Sequence, residues 1–287
     1  PPPHPEAQPI VVFNSLNWVR SQVVELTVPN LQDTNWQVYD LTGRNIQSYT
    51  IVPESSSDRQ TSTVLISFLA KDIPSVGYCL YWLCPRTNFI ALSSQGASSN
   101  LPAEYGIENE FLRVTVDSNT GDLSSVFDKT HQREVLSGAG NQLQAFQDSG
   151  QYWDAWNIDP NYARFPLSPA ELISMKQSCD RNSLQSCISV ERKIGQSIFR
   201  QDYILEAGSS VLKIKTNVDW KERHVMVKAA FPLNVTADYT NYEIPCGAIA
   251  RPTQPQTAAE KAKWEVPALR WADMSSEIYG VSLLNDC

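Results

Sequence analysis

Alternation of apolar and polar residues with a period of two is the feature that most constrains the fold of this chain. In VLKIKTNVDW, residues 211–220, Leu212 and Ile214 alternate with the charged Lys213. A period of two places successive side chains on opposite faces of a β-strand. The stretch therefore predicts a strand with one face buried and the other in water.

Short runs of this kind recur along the whole chain. They are rich in β-branched residues and are separated by turn signals such as Asn119-Thr120-Gly121. Helical periodicity with capping residues is nearly absent, and only residues 168–175 and 256–265 are predicted as short helices. The sequence therefore predicts an all-β protein.

The spacing of the strands suggests two domains. Strands of about five residues, spaced about ten residues apart, indicate a small β-sandwich over residues 1–98. The stretch SSQGASSNLPAE, residues 93–104, is small and polar and is predicted to be a linker. Residues 104–287 form a second β-domain, larger than an ordinary immunoglobulin-like sandwich. Because the chain stops soon after an apolar strand, we expect it to be a segment of a longer protein.

Composition excludes two classes of partner. The net charge is −8 and the isoelectric point is near 5.0, whereas binding to phosphates requires a basic face. The chain contains no run of 18 apolar residues that would predict a membrane-spanning helix. No nucleic-acid partner and no membrane are therefore expected.

The six cysteines show no zinc-binding spacing. Buried thiols in a reducing compartment are the simplest interpretation, and they predict a cytoplasmic protein. A disulfide between Cys179 and Cys187, across a hairpin, is the alternative.

The stretch QYWDAWNIDPNY, residues 151–162, concentrates aromatic and acidic side chains. Aromatic faces stack on sugar rings and carboxylates accept hydrogen bonds from sugar hydroxyls, so one hypothesis is a carbohydrate-binding rim. A second is a catalytic pair of carboxylates, Asp154 and Asp159. A third is structural, with Trp153 and Trp156 filling a sheet core while the aspartates cap turns.

A second stretch, residues 243–274, contains prolines that exclude a long helix. It is predicted to be an ordered excursion from a sheet, which either faces a site or covers a sheet edge. Its polar and aromatic candidates are Arg251, Trp264, Arg270, Trp271 and Asp273. The three histidines lie in no metal-binding or catalytic motif, so they predict neither a metal site nor a histidine-based catalytic centre.

Several blocks in fixed order resemble the α-mannosidases of glycoside hydrolase family 38, particularly the cytosolic type. They are VFNSLNWVR (12–20), ENEFLRVTVDSNTGDLSSVFDKTHQREVL (108–136), GNQLQAF with YWDAWNID (140–159), and RPT, RWADMS and YGVSLLND near the end. None of these blocks is a catalytic signature. The resemblance rests on their combination, which covers most of the chain.

The resemblance implies a retaining, zinc-dependent hydrolase of terminal α-mannosides. Its zinc ligands and catalytic carboxylates would lie in an N-terminal barrel outside this chain, which therefore binds no cofactor itself. Residues 104–287 would form the first part of a supersandwich like that of galactose mutarotases, truncated at its C-terminus. Tyr152, Trp153, Asp154 and Trp156 are the predicted substrate-binding residues.

The expected partners are the protein's own catalytic barrel and a mannoside or oligosaccharide substrate, and a homo-oligomeric full-length protein is left open. On this interpretation the chain supports the barrel and one wall of the substrate cleft but is inactive alone. The alternative is a stand-alone carbohydrate-binding or interaction module. A mutarotase-like epimerase is disfavoured because it needs a histidine and a carboxylate in one cleft.

Overall fold

The computed structural model describes residues 2–29, 35–51, 63–86, 105–150, 156–179 and 184–286. These residues form antiparallel β-sheets with very little helix, which confirms the predicted all-β class. The predicted linker, 93–104, lies outside the described residues, and the division into two domains stays a prediction. No helix in the described part of the chain has the length and apolar character needed to cross a membrane.

Seven strands form the first group, which is followed by a second group of fourteen. The first group consists of β1 (Gln8–Asn14), β2 (Arg20–Pro29), β3 (Asn35–Asp40), β4 (Asn45–Ile46), β5 (Ser48–Ile51), β6 (Thr63–Ile73) and β7 (Gly77–Arg86). The second consists of β8 (Tyr105–Glu108), β9 (Leu112–Val116), β10 (Leu123–Asp128), β11 (Arg133–Glu134), β12 (Gln142–Gln147), β13 (Glu171–Cys179), β14 (Gln185–Ile194), β15 (Ser197–Glu206), β16 (Leu212–Asp219), β17 (Val225–Ala230), β18 (Tyr239–Ile244), β19 (Gly247–Pro252), β20 (Trp271–Ser275) and β21 (Gly280–Leu284). The helical elements are a 3-10 turn, Tyr162–Arg164, and a single-turn helix α1, Ala258–Lys261.

The first group is a two-layer sandwich. One sheet has the order β1-β7-β3-β4 and the other β2-β6-β5. Alternate residues of β6, such as Val64, Ile66 and Phe68, are buried between the layers, where they pack with Val38 and Leu83 of the facing sheet. The alternation read from the sequence therefore becomes the inner face of this sandwich.

The second group is built around a four-stranded meander, β13-β14-β15-β16, which packs against the sheet β11-β10-β9-β8. Val114, Val116, Ile188, Val190 and Leu205 are buried between these two sheets. A two-stranded sheet, β12-β17, packs against the other end of β14 and β15 through Leu143, Ala145, Ile194 and Phe199. The sheet β19-β18-β20-β21 contributes no residue to these clusters among the described positions.

The turn between β9 and β10 forms at the predicted Asn119-Thr120-Gly121. Gly121 adopts φ +73, which costs a glycine little. The carboxylate of Asp117 accepts hydrogen bonds from the amides of Asn119 and Thr120 at 2.7 and 3.0 Å. This turn therefore follows from local residue chemistry.

The predicted helix over residues 168–175 is wrong. Residues from Glu171 onward form β13, which pairs along its length with β14. Leu172 and Met175 pack against the core from this strand. Pairing with a long neighbouring strand thus overrides a local helical preference. The second predicted helix, 256–265, shortens to α1, whose start is fixed by a capping box between Thr257 and Glu260.

Candidate functional site

Of the four predicted substrate-binding residues, Tyr152, Trp153 and Asp154 lie outside the described residues. Trp156 is described and is 87% exposed, so it does not fill a core. Asp159 is only 8% exposed, and its carboxylate accepts a hydrogen bond from the amide of Asn161 at 2.8 Å. The structural hypothesis therefore holds for Asp159, which caps a turn, and fails for Trp156.

The segment that follows Trp156 runs beside the free edge of β12, where Phe146 and Pro166 form an antiparallel bridge. Two backbone hydrogen bonds hold it there: Gln147 donates to the carbonyl of Phe165 at 3.0 Å, and Leu167 donates to that of Ala145 at 2.8 Å. The ring of Tyr162 meets the ring of Phe146 edge to face, with centroids 5.1 Å apart. This geometry fixes the position of the Tyr162 hydroxyl.

Lys228 of β17 lies beside this hydroxyl and connects it to the second excursion. Its ammonium group donates to the Tyr162 hydroxyl at 2.6 Å and to a carboxylate oxygen of Glu265 at 2.5 Å. Partial burial acts to lower the pKa of Lys228, but the hydrogen bonds with Glu265 and Tyr162 outweigh it and raise the pKa. Lys228 is therefore held as a cation between two oxygen partners.

Trp264 joins the same two loops from the other side. Its indole nitrogen donates to the carbonyl oxygen of Ile158 at 3.1 Å, while about half of its side chain stays exposed. The structure thus brings together both stretches that the sequence analysis selected. We call this site the loop junction. It comprises Tyr162, Lys228, Trp264 and Glu265, together with Trp156, which lies two residues before the carbonyl that Trp264 contacts.

The excursion that carries Trp264 is anchored at its base. Arg251 donates to the carbonyl of Pro267 at 3.2 Å, and its guanidinium lies 4.8 Å from the centre of the Tyr242 ring. The amide of Arg270 donates to the carboxylate of Glu243 at 2.7 Å. Trp271 and Asp273 belong to β20, where Asp273 accepts hydrogen bonds from neighbouring serines. Of the five candidates in this stretch, only Trp264 reaches the loop junction.

The chemistry of the loop junction suits a sugar. Two exposed indole rings offer apolar faces for stacking, and the Lys228 ammonium lies within hydrogen-bonding distance of both a carboxylate and a phenol. Within the described residues, no group of three or more His, Cys, Asp or Glu side chains could hold a metal ion. The arrangement offers stacking and hydrogen-bonding groups to a ligand.

A buried polar network lies behind this region and was not anticipated from the sequence. Arg192, fully buried, donates to the carboxylate of Asp122 at 2.5 Å, to the backbone oxygen of Asn141 at 3.2 Å and to the side-chain oxygen of Gln201. Tyr203 donates to the carbonyl of Gly121 and accepts from Asn141, at 2.9 and 2.8 Å. Because Asn141 directly precedes β12, the network fixes the start of the strand that supports the loop junction.

Burial dominates the titration of this network. It raises the pKa of Asp122, although the Arg192 guanidinium opposes the shift, and it also raises the pKa of Tyr203.

One signal of the network was present in the sequence. Ile188, Val190, Arg192 and Ile194 share the inward positions of one strand, and a charged residue in that series predicts a buried partner.

The predicted Cys179–Cys187 bridge is not favoured by the strand register, which places Cys187 opposite Ser178 and Cys179 opposite Ser186. The side chain of Cys179 lies outside the described residues.

Residues 107–287 match the sequence profile of the glycosyl hydrolases family 38 C-terminal domain. The chain is 33% identical over 189 residues to Alpha-mannosidase G of Dictyostelium discoideum, a match covering 63% of this chain and 17% of that protein. It is 31% identical over 228 residues to human Alpha-mannosidase 2C1, covering 75% of this chain and 21% of that protein. The chain therefore spans about a fifth of the length of these relatives.

The fold is also found in solved structures. An α-mannosidase from Enterococcus faecalis V583 superposes with a TM-score of 0.67 at 15% identity, over 98% of this chain and 38% of that one. A family 38 glycosyl hydrolase structure from Enterococcus faecalis gives a TM-score of 0.66 at 14% identity. At this identity the likeness concerns the fold alone, whereas the sequence match over most of the chain shows descent. The chain belongs to glycosyl hydrolase family 38, and residues 107–287 are its C-terminal domain.

Proposed function

We propose that this chain is the β-domain segment of a retaining, zinc-dependent α-mannosidase that hydrolyses terminal α-mannosides. It supports a catalytic barrel supplied by the rest of a longer polypeptide and forms one wall of the substrate cleft. By itself it is inactive. The observation that carries the proposal is the loop junction, which presents two exposed indoles beside a fixed cation and carboxylate in a family 38 chain.

At the loop junction, Trp156 and Trp264 stack against sugar rings of the substrate, while Lys228 and Glu265 keep the two loops together. Tyr152, Trp153 and Asp154 lie two to four residues before Trp156 in the sequence, and in this proposal they contact the same ligand. In this proposal no residue of the chain is catalytic. Zinc belongs to the barrel, where the ion orients sugar hydroxyls and stabilises developing charge.

We also place the protein in the cytoplasm. Cys246 is exposed and carries a thiol, and Cys79 and Cys84 carry thiols on one strand. Exposed thiols persist in a reducing compartment.

The test measures hydrolysis of an aryl α-mannoside, with added zinc, by the isolated chain and by the full-length product of its gene. We expect turnover only from the full-length protein. Turnover by the isolated chain would contradict the proposal, and a gene product with no further domain would favour the stand-alone binding module.

In the full-length enzyme, Trp153→Ala and Trp156→Ala should each lower kcat/KM by about 2- to 12-fold, since a lost stacking contact costs about 0.5–1.5 kcal/mol. Ile278→Ala is the matched control, because Ile278 is as exposed as Trp156 but lies in the β20–β21 turn. Unchanged kinetics with lower stability would show that the tryptophans have a structural role only.

A further inference from the structure

The outer face of the sheet β1-β7-β3-β4 carries mainly apolar side chains on β1 and β7. Strand alternation places one set of residues in the sandwich core and the other set on the outside. The described outward side chains are Pro9, Val11 and Phe13 on β1, Tyr78, Leu80, Trp82 and Cys84 on β7, Gln37 and Tyr39 on β3, and Asn45 on β4. None of them is charged. An outer sheet face in water normally carries polar residues at these positions.

The most exposed pair on this face is Phe13 and Tyr78, which are direct cross-strand neighbours with ring centroids 5.8 Å apart. Phe13 is 74% exposed and Tyr78 is 55% exposed. Val11 on β1 and Val76, in the turn before β7, extend the exposed apolar surface. A contiguous patch of large apolar side chains on a soluble domain marks an interaction surface.

The opposite side of the same sandwich already contacts the second group of strands. A Cβ atom added to Gly208, in the β15–β16 turn, would lie 2.9 Å from the Leu69 side chain and 3.4 Å from that of Ser21. Leu69 and Ser21 belong to the sheet β2-β6-β5. The two outer faces therefore differ: one meets the rest of the described chain, whereas Val11, Phe13 and Tyr78 on the other stay exposed.

We infer that the face that carries Phe13 and Tyr78 docks the remainder of a family 38 polypeptide, through an uncharged apolar surface of that remainder. The inference rests on the proposed function, which places this chain within a longer enzyme. The length of the relatives supports the inference. This chain covers 38% of the Enterococcus α-mannosidase and about a fifth of the Dictyostelium and human α-mannosidases. The sandwich lies N-terminal to the C-terminal domain at residues 107–287.

A glycan is a poorer occupant of this face. Sugar sites need polar groups that fix the hydroxyls. The outward Gln37 and Tyr39 bond to each other, with the tyrosine hydroxyl 2.8 Å from the amide oxygen. A protein surface buries the exposed rings without requiring such groups.

The test measures side-chain accessibility. Tyr78→Cys is introduced into the isolated chain and into the full-length product of the gene. Its alkylation by a maleimide is followed by tandem mass spectrometry of the peptide 72–86, in which fragment ions distinguish position 78 from the native Cys79 and Cys84. We expect alkylation at least 10-fold slower in the full-length protein. Leu41→Cys is the control, because Leu41 is similarly exposed but lies in the turn after β3, and its rate should be the same in both.

Equal rates for Tyr78→Cys in both proteins would overturn the inference, as would slow labelling in the isolated chain. Sedimentation of the isolated chain supplies a second measurement. A dimer that Phe13→Ser with Tyr78→Ser dissociates would assign the face to a second copy and overturn the inference. Protection of Tyr78→Cys by mannose oligosaccharides in the isolated chain would assign it to a glycan instead. Neither labelling rate depends on mannoside hydrolysis, so this inference and the proposed function can fail separately.

Discussion

The ammonium group of Lys228 lies 2.5 Å from the carboxylate of Glu265, and this ion pair ties β17 to an excursion 37 residues further along the chain. Tyr162, from a third segment, accepts a second hydrogen bond from the same ammonium and lies under it as a cation–π partner at 4.6 Å. One side chain therefore holds together the three segments that form the loop junction.

Replacing Lys228 should loosen this junction. Lys228→Met is expected to lower the free energy of unfolding by about 1–2 kcal/mol, because two charge-assisted hydrogen bonds are lost at a partly buried site. Urea denaturation measures the change. Lys213→Met is the control, since Lys213 meets Glu206 at 2.6 Å with a more exposed side chain, and it should cost less than about 1 kcal/mol. If both variants lose the same free energy of unfolding, the Lys228 contacts stabilise the protein no more than an exposed ion pair does.

Removing the guanidinium of Arg192 should be far more damaging. Arg192→Met leaves the Asp122 carboxylate buried without its counter-ion, which typically costs about 3–5 kcal/mol. Arg200→Met provides a matched control on the neighbouring strand, where Arg200 pairs with Glu191 at 3.0 Å in solvent. That variant should lose less than about 1 kcal/mol. The prediction fails if chemical denaturation gives similar values for both.

Gly121 should not tolerate a side chain. Gly121→Ala forces an alanine to φ +73 and places its Cβ 2.5 Å from a Val190 methyl group, so strain of about 1–2 kcal/mol adds to overpacking of about 1–3 kcal/mol. Gly43 has φ +82 but no atom within 4 Å of the added Cβ, so Gly43→Ala should show the strain alone. Thermal unfolding of the two variants separates these contributions. If Gly121→Ala lowers the free energy of unfolding less than Gly43→Ala does, the predicted overpacking against Val190 is wrong.

The β9–β10 turn should weaken in acid. The backbone amides of Asn119 and Thr120 donate to Asp117 and hold the pKa of its carboxyl below the usual value of about 4. A lowered folded-state pKa contributes stability above the unfolded pKa, and this contribution is lost as pH falls through the folded pKa. The stability difference between the parent chain and Asp117→Asn should therefore shrink as pH drops below about 4. Melting curves from pH 7 to pH 2 would show this, and a constant difference would exclude the ionised carboxylate as its cause.

The strands and their buried faces could be predicted because the signal is local. Val64, Ile66 and Phe68 in β6, and Leu212 and Ile214 in β16, alternate with outward residues as the sequence indicates. The Asn119–Gly121 turn could also be predicted, because it depends only on the neighbouring Asp117 carboxylate and on the positive φ of Gly121. The two stretches selected as candidates, around Trp156 and Trp264, also proved to share one site.

The pairing of distant residues was decided only by the tertiary structure. Nothing near Lys228 in sequence identifies Glu265, and nothing near Arg192 identifies Asp122, because strand register and sheet packing bring these charges together across 37 and 70 residues. The same long-range pairing converted the helical-looking segment at residues 168–175 into β13. Local periodicity thus determined which residues of this family 38 chain are buried, whereas the choice of partner depended on backbone hydrogen bonding and burial between segments far apart in the chain.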